Sequence, residues 1–155
     1  MLIYQIYDTL LGKMLIAADE RGIVHLYPAH RLNIENMEQG ETPLLRLAAE
    51  KLEAYLGGKG DTLRDLPLSP RGTDFQKQVW QGLRTVPYGE TRSYAWLAQD
   101  IGRPKAVRAV GAANGKNTIL LAIPCHRIVG ADGSLTGFAA GVDMKRKLLE
   151  LEGAL

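Results

Sequence analysis

Pro124-Cys125-His126-Arg127 brings together the residues of this chain best suited to chemistry. Cys125 is the only cysteine among 155 residues, so no intramolecular disulfide and no multi-cysteine metal site can form. A single thiol is either a small buried hydrophobe or a nucleophile. The apolar run from Ile119 to Ile123 reads as a buried strand that Pro124 stops, which places the thiol at the strand's exit. An imidazole is adjacent and a guanidinium follows, and such an electropositive setting favours a thiolate and lowers the pKa of the thiol.

The elements that must position this group fall into two halves. Residues 2–7, 13–18 and 22–27 have the length and β-rich character of strands, with a turn at Asp19-Glu20-Arg21-Gly22. Thr42-Pro43 supplies an N-cap and an N1 proline for a helix carrying Leu45, Ala48, Leu52 and Tyr55 on one face, closed by Gly57-Gly58. Gly58 to Gly72 has no period and reads as a linker. Downstream the pattern is helical. Thr73-x-x-Gln76 is a capping box ahead of Phe75, Val79 and Leu83, and Pro87-Tyr88-Gly89-Glu90 is a turn. Tyr94, Leu97, Ala98 and Ile101 form a stripe ending at Gly102, and Pro104 opens a helix with Ala106, Val110 and Ala113 inward. Asp143 caps a last helix with Met144, Leu148 and Leu151 inward, stopped by Gly153. The chain therefore reads as an α+β protein, with an α/β module over 1–70 and a mostly helical module over 71–155.

The two short helices joined by a Gly-containing turn look like a helix-turn-helix. The second presents Lys105, Arg108, Ala109, Ala112 and Lys116 away from its core face. Small side chains there permit close backbone approach to a groove without reading base edges. They equally suit a helix that packs tightly against its neighbours. Charge adds a hint. The formal net charge is +2, but residues 1–70 carry 7 basic and 10 acidic side chains, and residues 71–155 carry 12 and 7. The excess positive charge lies with Cys125 and fits a polyanionic partner. The apolar runs are too short to span a bilayer, the N-terminus lacks a signal-peptide pattern, and an unpaired thiol fits a reducing cytoplasm.

These blocks together resemble the O6-alkylguanine-DNA alkyltransferases, single-turnover DNA repair proteins. The likeness runs in register from Phe75 to Gly153. It covers Val86-Pro87-Tyr88-Gly89-Glu90-Thr91, Ser93-Tyr94, Pro104 to Gly111, Asn117, Pro124-Cys125-His126-Arg127-Ile128 and Leu151-Glu152-Gly153. Ile128 stands where Val is more usual. The resemblance implies a ribonuclease-H-like N-terminal domain and a winged-helix-like C-terminal domain with the helix-turn-helix. It also implies that Cys125 takes the alkyl group from guanine in duplex DNA, irreversibly and without a cofactor, with O4-alkylthymine as a second substrate. His126 would be the base, acting through a water because neighbours on a strand face opposite sides. Glu152 would orient the imidazole, and Tyr94 would bond the guanine and help neutralise the departing base. Asn117 would tie the helix-turn-helix to the cysteine loop. Arg108 would fill the stack vacated by a flipped nucleotide. Lys105, Ala109, Ser93 and Thr91 would lie along the DNA, and Ile128, Phe138, Ala139 and Ala140 would line the pocket.

Some family features are missing. His25 and His30 have no cysteine companions, so no zinc site is expected. Arg103 stands at the expected N-cap before Pro104, where Asn would serve better. The loop Thr136-Gly137-Phe138-Ala139-Ala140-Gly141 has Phe and Ala where relatives often carry Tyr and Ser or Arg. Three other functions share parts of the pattern: a non-catalytic alkyltransferase-like damage-binding protein, whose relatives replace the nucleophile that Cys125 retains; a thiol-sensing helix-turn-helix regulator; and a cysteine hydrolase. No obligate protein partner is evident.

Overall fold

The computed structural model describes residues 1–155, which divide into two compact units. The first comprises Met1–Arg71 with Thr118–Ala122, and the second Gly72–Asn117 with Ile123–Leu155. The boundary expected at residue 70 is thus crossed once more, by a short return segment.

In the first unit, β1 (Leu2–Thr9), β2 (Gly12–Ala18), β3 (Ile23–Pro28) and β4 (Met37–Gln39) form a sheet of order β3-β2-β1-β4. The first three strands run antiparallel and β4 pairs parallel to β1. Leu15 and Ala17 of β2 join Leu2, Tyr4 and Val24 in one core, with Met37 of β4 packed against it. Met14 and Ile16 are also fully buried, so β2 is covered on both faces. Helix α1 (Pro43–Leu56) packs on β1 and β2, and the Thr42 hydroxyl caps it by accepting from the Leu45 amide. The segment read as a linker is built into this unit. Ile23 donates to Pro67 O, Ser69 N donates to Ile23 O, and Leu63 and Leu66 are buried.

Residues Ile119–Ile123 do not form the expected strand. The free edge of β3 takes up the segment through one residue, with Leu26 N donating to Thr118 O and Leu120 N donating to Leu26 O, both at 2.9 Å. The chain then breaks direction at Leu121, whose φ of 72° lies in the left-handed region that L-residues avoid. That break, rather than Pro124 alone, ends the pairing.

The second unit holds α2 (Asp74–Leu83), β5 (Arg92–Ser93), α3 (Tyr94–Asp100), α4 (Val107–Gly115), β6 (Ile128–Val129) and α5 (Val142–Leu151). The Thr73–Gln76 capping box opens α2. Gly82 lets α2 and α3 approach closely, since an added Cβ there would lie 2.9 Å from Leu97 Cδ1. Trp80 Nε1 donates to Ala113 O at 2.9 Å and ties α2 to α4. Two starts differ from expectation. Helix α4 begins after Ala106, not at Pro104, because Arg103 N closes α3 by bonding Ala98 O and Ala106 N then turns back to Arg103 O. Gly141, with φ 95°, is the N-cap of α5; Asp143 lies in the first turn, where its charge suits the helix dipole.

Candidate active site

The sequence places Cys125 and His126 at the exit of a strand. Instead, Cys125–Arg127 form one 3₁₀ turn, because Pro124 ends the extended path and Arg127 N reaches back to Pro124 O at 3.0 Å. Asn117, which is buried, donates from Nδ2 to Ile123 O at 2.9 Å and fixes the chain entering that turn. Cys125 is itself only 5% exposed. All of these groups belong to the second unit.

Glu152 is the hub of the site. Its position just past α5, on the same face as Leu148 and Leu149, buries its carboxylate completely. Oε2 accepts from His126 Nε2 at 2.7 Å, while Arg127 donates from Nε to Oε1 at 2.8 Å and from Nη2 to Oε2 at 3.1 Å. The guanidinium also donates from Nη1 to Val86 O at 2.9 Å and lies 5.6 Å from the Tyr88 ring centre. This two-point grip is the strong geometry for a guanidinium and carboxylate. Gly89, at φ 85°, brings its chain close enough that an added Cβ would sit 3.0 Å from Glu152 O. The sequence offered Arg127 only as a cation near the thiol; in the structure it is what holds the carboxylate in place.

With Glu152 as acceptor, His126 carries its proton on Nε2, and Nδ1 of the neutral ring is the basic nitrogen. Burial lowers the His126 pKa below its ordinary value, outweighing the opposing pull of Glu152, so the ring is neutral near pH 7. The edge of Phe138 stands 6.3 Å from it, centre to centre.

The thiol departs from expectation. Burial pushes the Cys125 pKa up, and the hydrogen bond from Asn117 and the charge of Lys145 pull it down less strongly. A neighbouring cation matters less here than the loss of water, which penalises the thiolate. At rest Cys125 is a thiol, and its reactivity depends on a base.

Lys145 is the second residue that sequence reading passed over. It is fully buried and donates from Nζ to Ile128 O at 2.6 Å and to Thr136 O at 2.8 Å. The expected inward stripe of Met144, Leu148 and Leu151 is rotated to Lys145, Leu148 and Leu149, with Glu152 one turn on. A Lys and a Glu at helical spacing on an otherwise apolar face were the available signal. Burial lowers the Lys145 pKa, and the nearby Cys125 raises it.

Tyr94 opens α3, where the Ser93 hydroxyl caps the helix by accepting from Trp96 N at 3.0 Å. Its own hydroxyl lies 2.9 Å from Thr136 Oγ1. Ile128 is fully buried behind the turn, while Phe138, Ala139 and Ala140 are half-buried on the loop before α5. Lys105, Arg108 and Ala109 are exposed at the start of α4, and Thr91 is half-buried beside β5. The structure therefore assembles Cys125, His126, Glu152 and Asn117 into one buried cluster, and leaves the residues expected along DNA on the surface. His25, considered for zinc, instead bonds Thr118 Oγ1 through Nδ1 at 2.8 Å. No group of three or more His, Cys, Asp or Glu is placed to hold a metal, and no helix is long and apolar enough to cross a membrane.

The second unit thus pairs a buried cluster of Cys125, His126 and Glu152 with two packed short helices, α3 and α4, of helix-turn-helix form. Residues 74–154 match the DNA binding domain of 6-O-methylguanine DNA methyltransferase, and residues 2–70 match its ribonuclease-like domain. The chain belongs to this family. The methylated-DNA–protein-cysteine methyltransferase of Methanosarcina barkeri is 47% identical over 152 residues, covering 96% of each chain. The constitutive enzyme of Bacillus subtilis is 42% identical over 156 residues, covering 96% of this chain and 94% of its own. The crystal structure of Mycobacterium tuberculosis O6-methylguanine methyltransferase superposes with a TM-score of 0.89 at 40% identity, covering 99% of this chain and 94% of that one. The M. tuberculosis OGT in complex with DNA gives a TM-score of 0.89 at 40% identity, covering 98% and 93%.

Proposed function

We propose that this protein repairs duplex DNA by moving an alkyl group from O6 of guanine to Cys125 Sγ, once per molecule. The observation that carries this reading is the buried relay: a thiol on the same 3₁₀ turn as a neutral histidine whose Nε2 is locked by Glu152. His126 Nδ1 takes the thiol proton through a water. The thiolate attacks the alkyl carbon, an S–C bond forms, and the C–O bond breaks with its electron pair passing to guanine. Tyr94 donates its proton to the departing base, and the imidazolium returns a proton to the phenol. The net change is thiol plus alkylguanine to thioether plus guanine. A thioether is a poor leaving group and no second thiol exists, so the protein is spent. Asn117 steadies the turn, and Ile128, Phe138, Ala139 and Ala140 wall the base and its alkyl group.

DNA reaches the site by way of the helix-turn-helix. Lys105, Arg108, Ala109, Ser93 and Thr91 meet the duplex; the small residues of α4 enter a groove, and Arg108 fills the stack when the damaged nucleotide swings out. A relative of the same fold is known with DNA bound, which supports this placement. Mostly phosphate contact makes binding fall with salt and depend little on sequence. A lone free thiol supports a reducing compartment such as the cytoplasm.

The test is stoichiometry. Excess duplex carrying O6-methylguanine should yield one repaired guanine per protein and then stop, with O4-methylthymine duplex run in parallel to define the second substrate. Yields far above one per chain would identify a hydrolase and overturn the proposal.

A further inference from the structure

Thr136 has no part in the relay, yet two contacts converge on it. Its hydroxyl lies 2.9 Å from the Tyr94 hydroxyl, and its carbonyl accepts from Lys145 Nζ at 2.8 Å. Because Lys145 also donates to Ile128 O, residue 136 is stapled to the strand that follows the cysteine turn. The flanking chain is ordered separately. Gly130 N bonds Ser134 O before Thr136, and Gly141 N bonds Phe138 O after it, both at 2.9 Å. The threonine hydroxyl is therefore held against the phenol by a backbone that is already fixed, without ordering cost when substrate arrives.

We infer that Thr136 is a positioning residue that sets the direction of the Tyr94 proton. A phenol has one proton and can accept two hydrogen bonds, and a threonine hydroxyl can donate only once. When Thr136 donates to Tyr94 Oη, the phenol proton is left to point at the incoming base. The same bond then gains strength as Tyr94 gives that proton up, because its acceptor becomes more negative. It stabilises the transition state more than the ground state, and so acts on the rate rather than on DNA affinity. Thr136 is exposed, and a base entering beside Tyr94 excludes the water that would otherwise serve in its place. This inference rests on transfer to Cys125 with Tyr94 as proton donor.

The test is single-turnover methyl transfer from O6-methylguanine duplex by Thr136→Val, Thr136→Ser, Tyr94→Phe and the Val/Phe double variant. Loss of one neutral hydrogen bond corresponds to a rate decrease of roughly 2- to 12-fold. Thr136→Val should show that decrease with an unchanged half-saturating DNA concentration, and Thr136→Ser should restore the rate. In the Tyr94→Phe background the valine substitution should have no further effect. An equal loss in both backgrounds, a failure of serine to rescue, or a wild-type rate in Thr136→Val would each overturn the assignment. Wild-type protein that leaves Cys125 unmethylated would instead remove the proposed function itself, and the two failures are thus separable.

Discussion

Replacing Glu152 by Gln should unfold the second unit far more easily, because the carboxylate answers a buried guanidinium as well as an imidazole. Arg127 is 3% exposed and spends Nε and Nη2 on Glu152. A Gln side chain of the same shape turns one acceptor into a donor facing that guanidinium and removes the compensating charge. Breaking a buried ion pair by removing one partner costs about 3–5 kcal/mol. Whole domains are stable by only about 5–15 kcal/mol, so the change consumes a large share of the total. With a urea m-value of about 1–3 kcal/mol/M, a loss of about 3 kcal/mol lowers the midpoint by roughly 1 M or more. Both tryptophans, Trp80 and Trp96, lie in the second unit, so their fluorescence during urea titration reports that unit directly. Arg127→Met alone should be comparably harmful, since it strands the carboxylate. The double variant should cost less than the two singles added, as expected for residues that answer each other. A Glu152→Gln midpoint within roughly 0.3 M of wild type, on the same scale, would refute the hub role.

Five further outcomes are expected. His126→Ala should slow methyl transfer by about 10²–10⁴-fold, and its rate should climb with pH toward the raised thiol pKa while the wild-type profile stays flatter; matching profiles would remove His126 as base. The same histidine sets an acid limit. Its folded pKa lies below the ordinary 6.5, so the unfolded chain binds the extra proton first, and stability should fall as pH drops below 6.5. Arg108→Ala should impair repair of duplex far more than reaction with a free-base pseudosubstrate, and equal losses would point to folding instead. In the pocket loop, Ala139→Ser should speed methyl transfer by no more than a neutral hydrogen bond of about 0.5–1.5 kcal/mol allows. Ala140→Trp should suppress benzyl transfer more than methyl transfer, and an unchanged ratio would take this loop out of the alkyl pocket.

Where local chemistry decides structure, the residues could be read directly. Thr42-Pro43 and Thr73-x-x-Gln76 open helices where their capping chemistry says they should. The β-rich runs over 2–7, 13–18 and 22–27 become three strands. What escaped reading depends on distant partners. Ile119–Ile123 looks like a strand by composition, but only the edge of β3 and the reversal at Leu121 decide its path. β4 is three residues long and needs β1 to exist. Lys145 was passed over and Arg127 counted only as a cation of the motif, because their burial depends on acceptors outside their own elements: Ile128 and Thr136 for the lysine, Val86 and Glu152 for the arginine. The direction of the Cys125 shift was misjudged for the same reason. Adjacent charges can be counted along a sequence, whereas desolvation is a property of the packed site.

The most direct measurement is intact-mass and peptide-mapping mass spectrometry after incubation with excess O6-methylguanine duplex and no added cofactor. Transfer to a cysteine nucleophile requires each chain to gain one methyl group, all of it on the peptide bearing Cys125, while Cys125→Ser still binds the duplex and gains none. Methylation at any other residue, an unmodified chain beside repaired DNA, or repaired guanine accumulating well beyond one per protein would contradict it.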